Sequence, residues 1–377
     1  MKKKIINITI APDTVDIFLT DIIDYLKLHD YETYSMANEE ESLHEKHVKK
    51  REKNFYTHGV SRKLVLIREL KALFKVYRFF KKNKFDLVHL HTPKILLLFS
   101  IIIKLTNNGK IVATYHGSLA KENKPIRNAI FYFIDYLNSF FIDYIFTVNH
   151  NDLKRFWKYG LYNENNSSVI SLSGIGVKSR LFKTISLEEK QKIKEELGIP
   201  LNVKVIGNVS RFTKDKGIDT IEKIIKELKF KYNYNFVFLH IGAIEDKKYF
   251  ESLNIDNMIS LGYKNQKELH LYYNIMDLFL FPSLREGFGI SVAEANLCGV
   301  PALVSDIKGL NEVVVNNKNG FKVTRTEDYV EYLSHYLSNE NELNFLKKST
   351  LKYAIERFDQ NEASVNTFNV YENLINN

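Results

Sequence analysis

The sequence contains one cysteine, Cys298, in 377 residues. A disulfide framework and a thiolate metal site each need several cysteines, so both are excluded, and this sparing use fits a reducing compartment. Long apolar runs are also missing. The longest, Ile95 to Ile103, reaches roughly half of the ~20 residues that a membrane-spanning helix requires. The stretch Met1-Lys2-Lys3-Lys4-Ile5-Ile6-Asn7-Ile8-Thr9-Ile10 begins like a secretion signal. Its apolar part is short, broken by Asn7 and Thr9, and followed by no small-residue cleavage site. It reads as a first buried strand, and the expected location is cytoplasmic. The aromatic stretch from Ile126 to Val148 carries Asp135, Asn138 and Asp143, so it reads as a core helix and strand. There is no internal repeat, and no low-complexity segment beyond a Lys/Asn/Ile bias.

What is present describes a globular chain with material for about two cores. Hydrophobic residues make up 45% and charged residues 26%, ordinary for a soluble protein, and the length exceeds one usual domain. The net charge of +9 is unevenly placed. Residues 1–185 hold 30 Lys and Arg against 18 Asp and Glu, whereas the remainder holds 24 against 27. Residues 46–84 alone carry fourteen cations and two acids, which points to a polyanionic partner, nucleic acid or an anionic membrane surface. Within that segment Arg68, Lys71, Lys75, Arg78 and Lys82 recur at three- and four-residue steps, with Leu66, Leu70, Leu73, Phe74, Tyr77 and Phe80 opposite. The spacing predicts an amphipathic helix with a core-facing apolar side and a cationic side that suits solvent or a membrane surface.

Short apolar strands are legible at Ile5–Ile10, Leu87–His91, Ile111–Tyr115, Tyr144–Val148, Val169–Leu172, Val203–Val209, Phe236–Ile241, Leu278–Phe281 and Ala302–Ser305. Continuous apolar strands alternating with amphipathic helices predict an α/β fold with doubly wound parallel sheets. A polar connection from Gly174 to Arg180 and the charged helix Leu187–Leu197 separate two strand groups. We therefore expect Rossmann-like domains at 1–180 and 181–360, with a last helix at 361–377 packing back on the first. Gly174-Ile175-Gly176 lacks the third glycine of a dinucleotide fingerprint and reads as a hinge or ligand-facing loop.

Two segments carry chemistry. Pro282-Ser283-Leu284-Arg285-Glu286-Gly287-Phe288-Gly289-Ile290-Ser291-Val292-Ala293-Glu294-Ala295 follows a strand and opens a helix. Gly287 and Gly289 let backbone approach a ligand, and free N–H groups at a helix start favour an anion. Glu286 stands in the loop, and Glu294 is expected about two helical turns in. Gly207-Asn208-Val209-Ser210-Arg211-Phe212-Thr213-Lys214-Asp215-Lys216-Gly217 also follows a strand. Its Arg211 and Lys216 would stand at the carboxyl edge of a parallel sheet, where two cations suit an anionic group.

Taken together these segments resemble glycosyltransferase family 4, retaining enzymes of the GT-B type with an inter-domain cleft. That family marks its donor site with two glutamates separated by seven residues, the spacing of Glu286 and Glu294. The resemblance implies that Glu286 meets the donor sugar and Glu294 the ribose, with Gly287, Phe288 and Gly289 beside them. Arg211 and Lys216 would bind the donor phosphates and stabilise the departing nucleotide. Leu261-Gly262-Tyr263 resembles the turn framing the donor base, which makes Tyr263 donor-binding, and Thr114-Tyr115-His116-Gly117 makes His116 a candidate near the donor sugar. His91-Thr92-Pro93-Lys94 resembles the branch that makes capsular and other surface polysaccharides. The implied reaction moves a hexosyl or N-acetylhexosaminyl group from a UDP-sugar to a polyprenyl-diphosphate-linked glycan, at the inner face of the membrane.

No cofactor is implied, and no metal: Asp-x-Asp, the usual metal–diphosphate clamp, is absent from the chain. The sequence departs from the family at the first loop, Ala11-Pro12-Asp13-Thr14-Val15-Asp16, where many members have paired glycines, and at Lys308, where a second glycine is common before Gly309. Two other readings fit less well. A sugar-nucleotide epimerase would share the fold. A basic nucleic-acid-binding protein would need a recognition helix, zinc spacing or aromatic-interleaved basic run, none of which is seen, so no nucleic-acid partner is expected.

Overall fold

The computed structural model describes residues 2–41, 54–61, 66–117, 125–172, 177–232, 235–253, 255, 257–359 and 361–376. Gly174-Ile175-Gly176 lies outside them. The chain divides into two compact units, Met1–Gly176 with Gln360–Asn377, and Val177–Asp359.

Among the described residues, the first unit holds a parallel sheet of β1 (Lys4–Ile8), β2 (Glu32–Ala37), β3 (Phe55–Thr57), β4 (Leu87–His91), β5 (Lys110–Tyr115), β6 (Tyr144–Thr147) and β7 (Ser167–Val169). Their order across the sheet is β3-β2-β1-β4-β5-β6-β7. Successive side chains of a strand point to opposite faces, and both faces are covered here. Ile6, Ile8, Val88 and Leu90 pack under the helices Leu66–Lys82 and Pro93–Leu105. Ile5, Leu87 and Val112 pack under Thr20–Leu28 and the final helix Glu362–Asn376. Burial on two sides is why β4 shows no alternation of exposed positions.

The second unit repeats the plan with β8 (Lys204–Val209), β9 (Phe236–Ile241), β10 (Met258–Ser260), β11 (Leu278–Phe281), β12 (Ala302–Ser305) and β13 (Gly320–Val323). The order is β10-β9-β8-β11-β12-β13, all parallel where paired. Its entering helix, Leu187–Glu196, starts on a capping box in which Ser186 accepts from the Glu189 N–H and Glu189 from the Ser186 N–H.

Five of these strands carry no continuous apolar run. β3, β7, β10 and β13 are sheet edges of three or four residues, and β2 contains Glu32, Thr33 and Ser35. The strand expected at Val169–Leu172 instead runs Ser167–Val169.

Two helices are turned differently from their apolar spacing. On Leu66–Lys82 the buried positions are Glu69, Ala72, Val76 and Phe80, whereas Leu70 and Phe74 are 60% and 61% exposed. The expectation that Leu70 and Phe74 face the core is wrong because Glu69 takes the inner position. Lys94 supplies its counter-ion there, Nζ to Oε1 at 2.6 Å, and also donates to the Ser61 carbonyl. On Pro125–Ser139 the buried side chains are Asp135 and Asn138. Asp135 accepts from Arg155 Nη1 at 2.9 Å, so the charge is compensated inside while Ile126, Ile130, Phe133 and Tyr136 are left exposed. The core-helix expectation for this stretch is corrected accordingly.

The final helix belongs to the first unit through Tyr371, which is fully buried. Its hydroxyl bonds to His89 Nδ1, and His89 Nε2 meets Thr114 Oγ1 at 2.8 Å. Glu362 at the other end accepts from Ser171 Oγ at 2.7 Å. Truncating a buried aromatic side chain typically costs about 3–5 kcal/mol. Tyr371→Ala should therefore lower the denaturant midpoint of the first unit by that equivalent, read by the fluorescence of Trp157, the sole tryptophan, which sits in that unit. An unchanged midpoint would show that this helix adds nothing to the unit's stability.

Candidate active site

In an open α/β sheet, a crevice forms outside the carboxyl ends of the strands where the strand order reverses. In the second unit that point lies between β8 and β11. The two strands pair only at Ile206–Leu278 and Gly207–Phe279. Beyond those pairs a side chain replaces the ladder: Asn208 Nδ2 donates to the Leu280 carbonyl at 2.8 Å, and Ser210 Oγ donates to Asn208 Oδ1 at 2.8 Å.

The loops leaving the two strands are fastened to each other. The Leu284 N–H and Ser283 Oγ donate to the Asp215 carbonyl at 2.9 and 3.2 Å. Gly217 has φ +73°, and a Cβ there would stand 1.9 Å from the Pro282 carbonyl oxygen, so only glycine allows this approach. The fastening sets Lys216 Nζ 2.5 Å from Glu286 Oε1, with the two side chains 16% and 13% exposed. The same ammonium lies 5.8 Å from the Phe281 ring centroid. Arg211 is further out, half exposed, and pairs with Glu245 at 3.1 Å and Asp215 at 3.8 Å. Of these acidic partners, Asp215 lies in the same segment, whereas Glu245 had no signal in the sequence because it follows a different strand.

The helix Ile290–Leu297 begins beside this pair. Gly289 is its N-cap at φ 89° and provides no side-chain cap; the Val292 N–H donates to the Gly289 carbonyl at 3.0 Å, which leaves the Ile290 and Ser291 N–H groups as donors for an anion. Gly309 presses on the same loop: a Cβ there would lie 2.6 Å from the Glu286 carbonyl oxygen. The Phe288 side chain is in the core near Phe358, which leaves its backbone for any ligand contact.

Glu294 is the fifth residue of the helix, about one turn in. The expected two turns would need residues 287–289 to be helical, and they form the loop. It is buried and accepts from the Tyr273 hydroxyl at 2.9 Å, while Gln266 Nε2 lies 3.5 Å away. Burial pushes its carboxyl up to about 7, against the opposing bonds from Tyr273 and Gln266. Tyr263 follows β10 at the same carboxyl edge and is partly exposed; the Gly262 carbonyl before it accepts from the Gly242 N–H at 2.8 Å.

His116 belongs to the first unit, just past β5. Its Nε2 meets His91 Nδ1 at 3.3 Å, and its ring lies 5.7 Å from Phe18. Burial lowers His116 to about 4 and His89 to about 3, and holds His91 well below the usual histidine range. These imidazoles are therefore neutral near pH 7 and act through hydrogen bonds, not charge. The structure brings Arg211, Lys216, Glu286, Gly287, Gly289, Glu294 and Tyr263 to one sheet edge of the second unit, with cations, carboxylates and helix-start donors suited to a phosphorylated, hydroxyl-bearing ligand.

The comparisons with known proteins agree with that chemistry. Residues 189–353 match the model for glycosyl transferases group 1, and residues 8–149 match that for glycosyl transferase 4-like domains. The capsular polysaccharide biosynthesis glycosyltransferase CapM of Staphylococcus aureus is 28% identical over 274 residues, 71% of this chain and 70% of that protein. The UDP-Gal:alpha-D-GlcNAc-diphosphoundecaprenol alpha-1,3-galactosyltransferase of Escherichia coli is 25% identical over 316 residues, 81% and 80% of the two chains. Among solved structures, Anabaena HepE in complex with UDP and glucose superposes with a TM-score of 0.79 at 18% identity, covering 99% of this chain and 100% of that one. The chain belongs to the group 1, 4-like glycosyltransferases, nucleotide-sugar-dependent enzymes of the GT-B fold.

Proposed function

We propose that this enzyme moves a hexosyl or N-acetylhexosaminyl group from a UDP-sugar, with retention of anomeric configuration, to a polyprenyl-diphosphate-linked glycan in surface polysaccharide assembly. The observation that carries the donor half is the Lys216–Glu286 pair at the strand-order reversal, beside an uncapped helix start. A diphosphate would take over the ammonium as its counter-ion and the helix-start N–H groups as donors, and Glu286 would turn to a sugar hydroxyl. Arg211 would exchange its exposed acidic partners for phosphate oxygens in a forked contact. As the sugar–phosphate bond breaks, charge grows on the diphosphate, and fixed donors aimed at that charge lower the barrier. Glu294, with Tyr273 holding one oxygen, would accept from the ribose diol.

His116 is assigned a role in transfer as a neutral hydrogen-bonding group. No carboxylate is assigned as a nucleophile, so attack on the face the diphosphate leaves, assisted by that diphosphate, is the simpler course. The acceptor half draws on the printed activities of relatives, which include a diphosphoundecaprenol-linked acceptor and a capsular polysaccharide enzyme.

Glu286→Gln should lower turnover by about 10²–10³-fold, the range for removing one group that acts at the transition state. UDP affinity should hold or rise, because Lys216 loses its resting counter-ion. Steady-state kinetics with UDP calorimetry reads both, and a loss confined to UDP affinity would overturn the sugar role.

Glu294 has a folded-state value near 7 against an ordinary 4.5. Between those pH values the folded state retains a proton that the unfolded state has lost, so this group's contribution to stability falls as pH rises from about 4.5 to about 7. A ribose diol donates to the ionised carboxylate, so UDP affinity should climb through pH 7 in the wild type more steeply than in Glu294→Gln, which should also bind UDP more weakly. Parallel pH profiles in the two proteins would remove the ribose assignment.

Because cations and N–H groups are assigned to the diphosphate, transfer should proceed undiminished in excess EDTA. A strict requirement for Mn²⁺ or Mg²⁺ would contradict that assignment.

A further inference from the structure

Strand β4 carries two histidines where burial on both faces would ordinarily call for Val, Ile or Leu. His89 and His91 alternate with Val88 and Leu90, and every position of the strand is buried. His91 pairs with Thr114 in the register of β4 and β5, which brings His116, two residues further along, beside it. Three imidazoles therefore meet at one place in the sheet.

The cluster is braced from one end. His89 is held at both nitrogens, Nδ1 by the Tyr371 hydroxyl and Nε2 by Thr114 Oγ1 at 2.8 Å. The His91 ring lies against it, with centroids 4.1 Å apart. His91 Nδ1 then meets His116 Nε2 at 3.3 Å. The other nitrogen of His91, Nε2, is buried and has no partner. A buried polar atom without a partner destabilises a fold, and a leucine at this position would remove that cost. The bond to His116 is what the histidine adds that a leucine would not.

That bond divides the two nitrogens of His116. Nε2 is turned to His91, whereas Nδ1 has no bonded partner among the described residues and is not one of the buried atoms that lack one. The residue is partly exposed, so Nδ1 is the nitrogen left to a ligand. A hydrogen bond at one ring nitrogen also sets which of the two carries the proton.

We propose that His91 is a positioning residue for transfer: its Nδ1 holds His116 Nε2 and so presents His116 Nδ1, in one orientation and one tautomer, to the sugar being transferred. The inference rests on the assignment of His116 to transfer, and it names the atom that acts and the residue that aims it. An imidazole released from that bond could turn about its side-chain torsions, and a misplacement of about 1 Å can cost ~10²-fold in rate.

The test combines transfer kinetics with UDP calorimetry. His91→Leu is close in size to the histidine and removes the Nδ1 contact. It should lower kcat by about 10- to 100-fold, with UDP affinity unchanged. His91→Asn places an amide where Nδ1 stood, able to donate or to accept, and should recover most of the loss. In a His116→Ala background the His91→Leu change should cost less than about twofold, because a residue that acts only through another has no effect once the other is gone. Full turnover in His91→Leu overturns the inference. So does an equal fractional loss with and without His116, which is what a purely structural role produces. Should His91→Leu fail to fold, as read by the fluorescence of Trp157, two variants of His116 decide. An Asn amide reaches the Nδ1 position and a Gln amide the Nε2 position, so His116→Asn should turn over faster than His116→Gln, and equal or reversed rates overturn the inference. Unchanged turnover in His116→Ala would remove the role of His116 itself, whereas a loss there with none in His91→Leu sinks this inference alone.

Discussion

An ammonium and a carboxylate held 2.5 Å apart, both mostly withdrawn from water, depend on a detail of chain routing. Two parallel strands part because the sheet was extended first in one direction and then in the other. Asn208 spans the parting with an amide, Gly217 lets one loop lie against the Pro282 carbonyl, and Asp215 takes hydrogen bonds from the other loop. The pair costs desolvation, and removing either partner would leave an uncompensated charge. A site of this kind is poised for exchange: each charged group has a resting partner that a ligand of the right composition replaces without exposing either charge.

The two units share one sheet plan and spend it differently. In the second unit the carboxyl edge of the sheet carries the charged groups, and the helix after β11 contributes its start as a set of donors. In the first unit His89 and His91 on β4 and His116 just past β5 form a histidine cluster whose burial keeps every ring neutral. Its final helix is locked to that cluster through Tyr371 and His89. The helix layer on the opposite face exposes apolar side chains while burying Glu69 and Asp135, each with its own cation.

Strand runs such as Leu87–His91, Phe236–Ile241, Leu278–Phe281 and Ala302–Ser305 were legible because burial on both faces demands apolar residues at every position. The strands at Glu32–Ala37, Phe55–Thr57, Met258–Ser260 and Gly320–Val323 were not, because edges and half-solvated positions impose no such demand. Glu286 and Glu294 could be read from a motif, as could Arg211 and Lys216. Their partners could not: Glu245, Tyr273 and Gln266 come from other strands and helices, and nothing local to the motif marks them.

The sequence by itself determined the class of fold, the enzyme family and the charged residues that meet at one sheet edge of the second unit, because those are carried by local patterns: continuous apolar strands, a glycine-spaced turn and a pair of glutamates at fixed separation. Tertiary structure decided the helix faces. On Leu66–Lys82 and Pro125–Ser139 the hydrophobic spacing suggested burial of Leu70, Phe74 and the apolar residues of the second helix, and the fold buried Glu69 and Asp135 while leaving Leu70, Phe74, Ile126, Ile130 and Phe133 exposed. These two carboxylates go inward because cations from distant segments meet them, and Lys94 for Glu69 and Arg155 for Asp135 are brought there by chain topology alone.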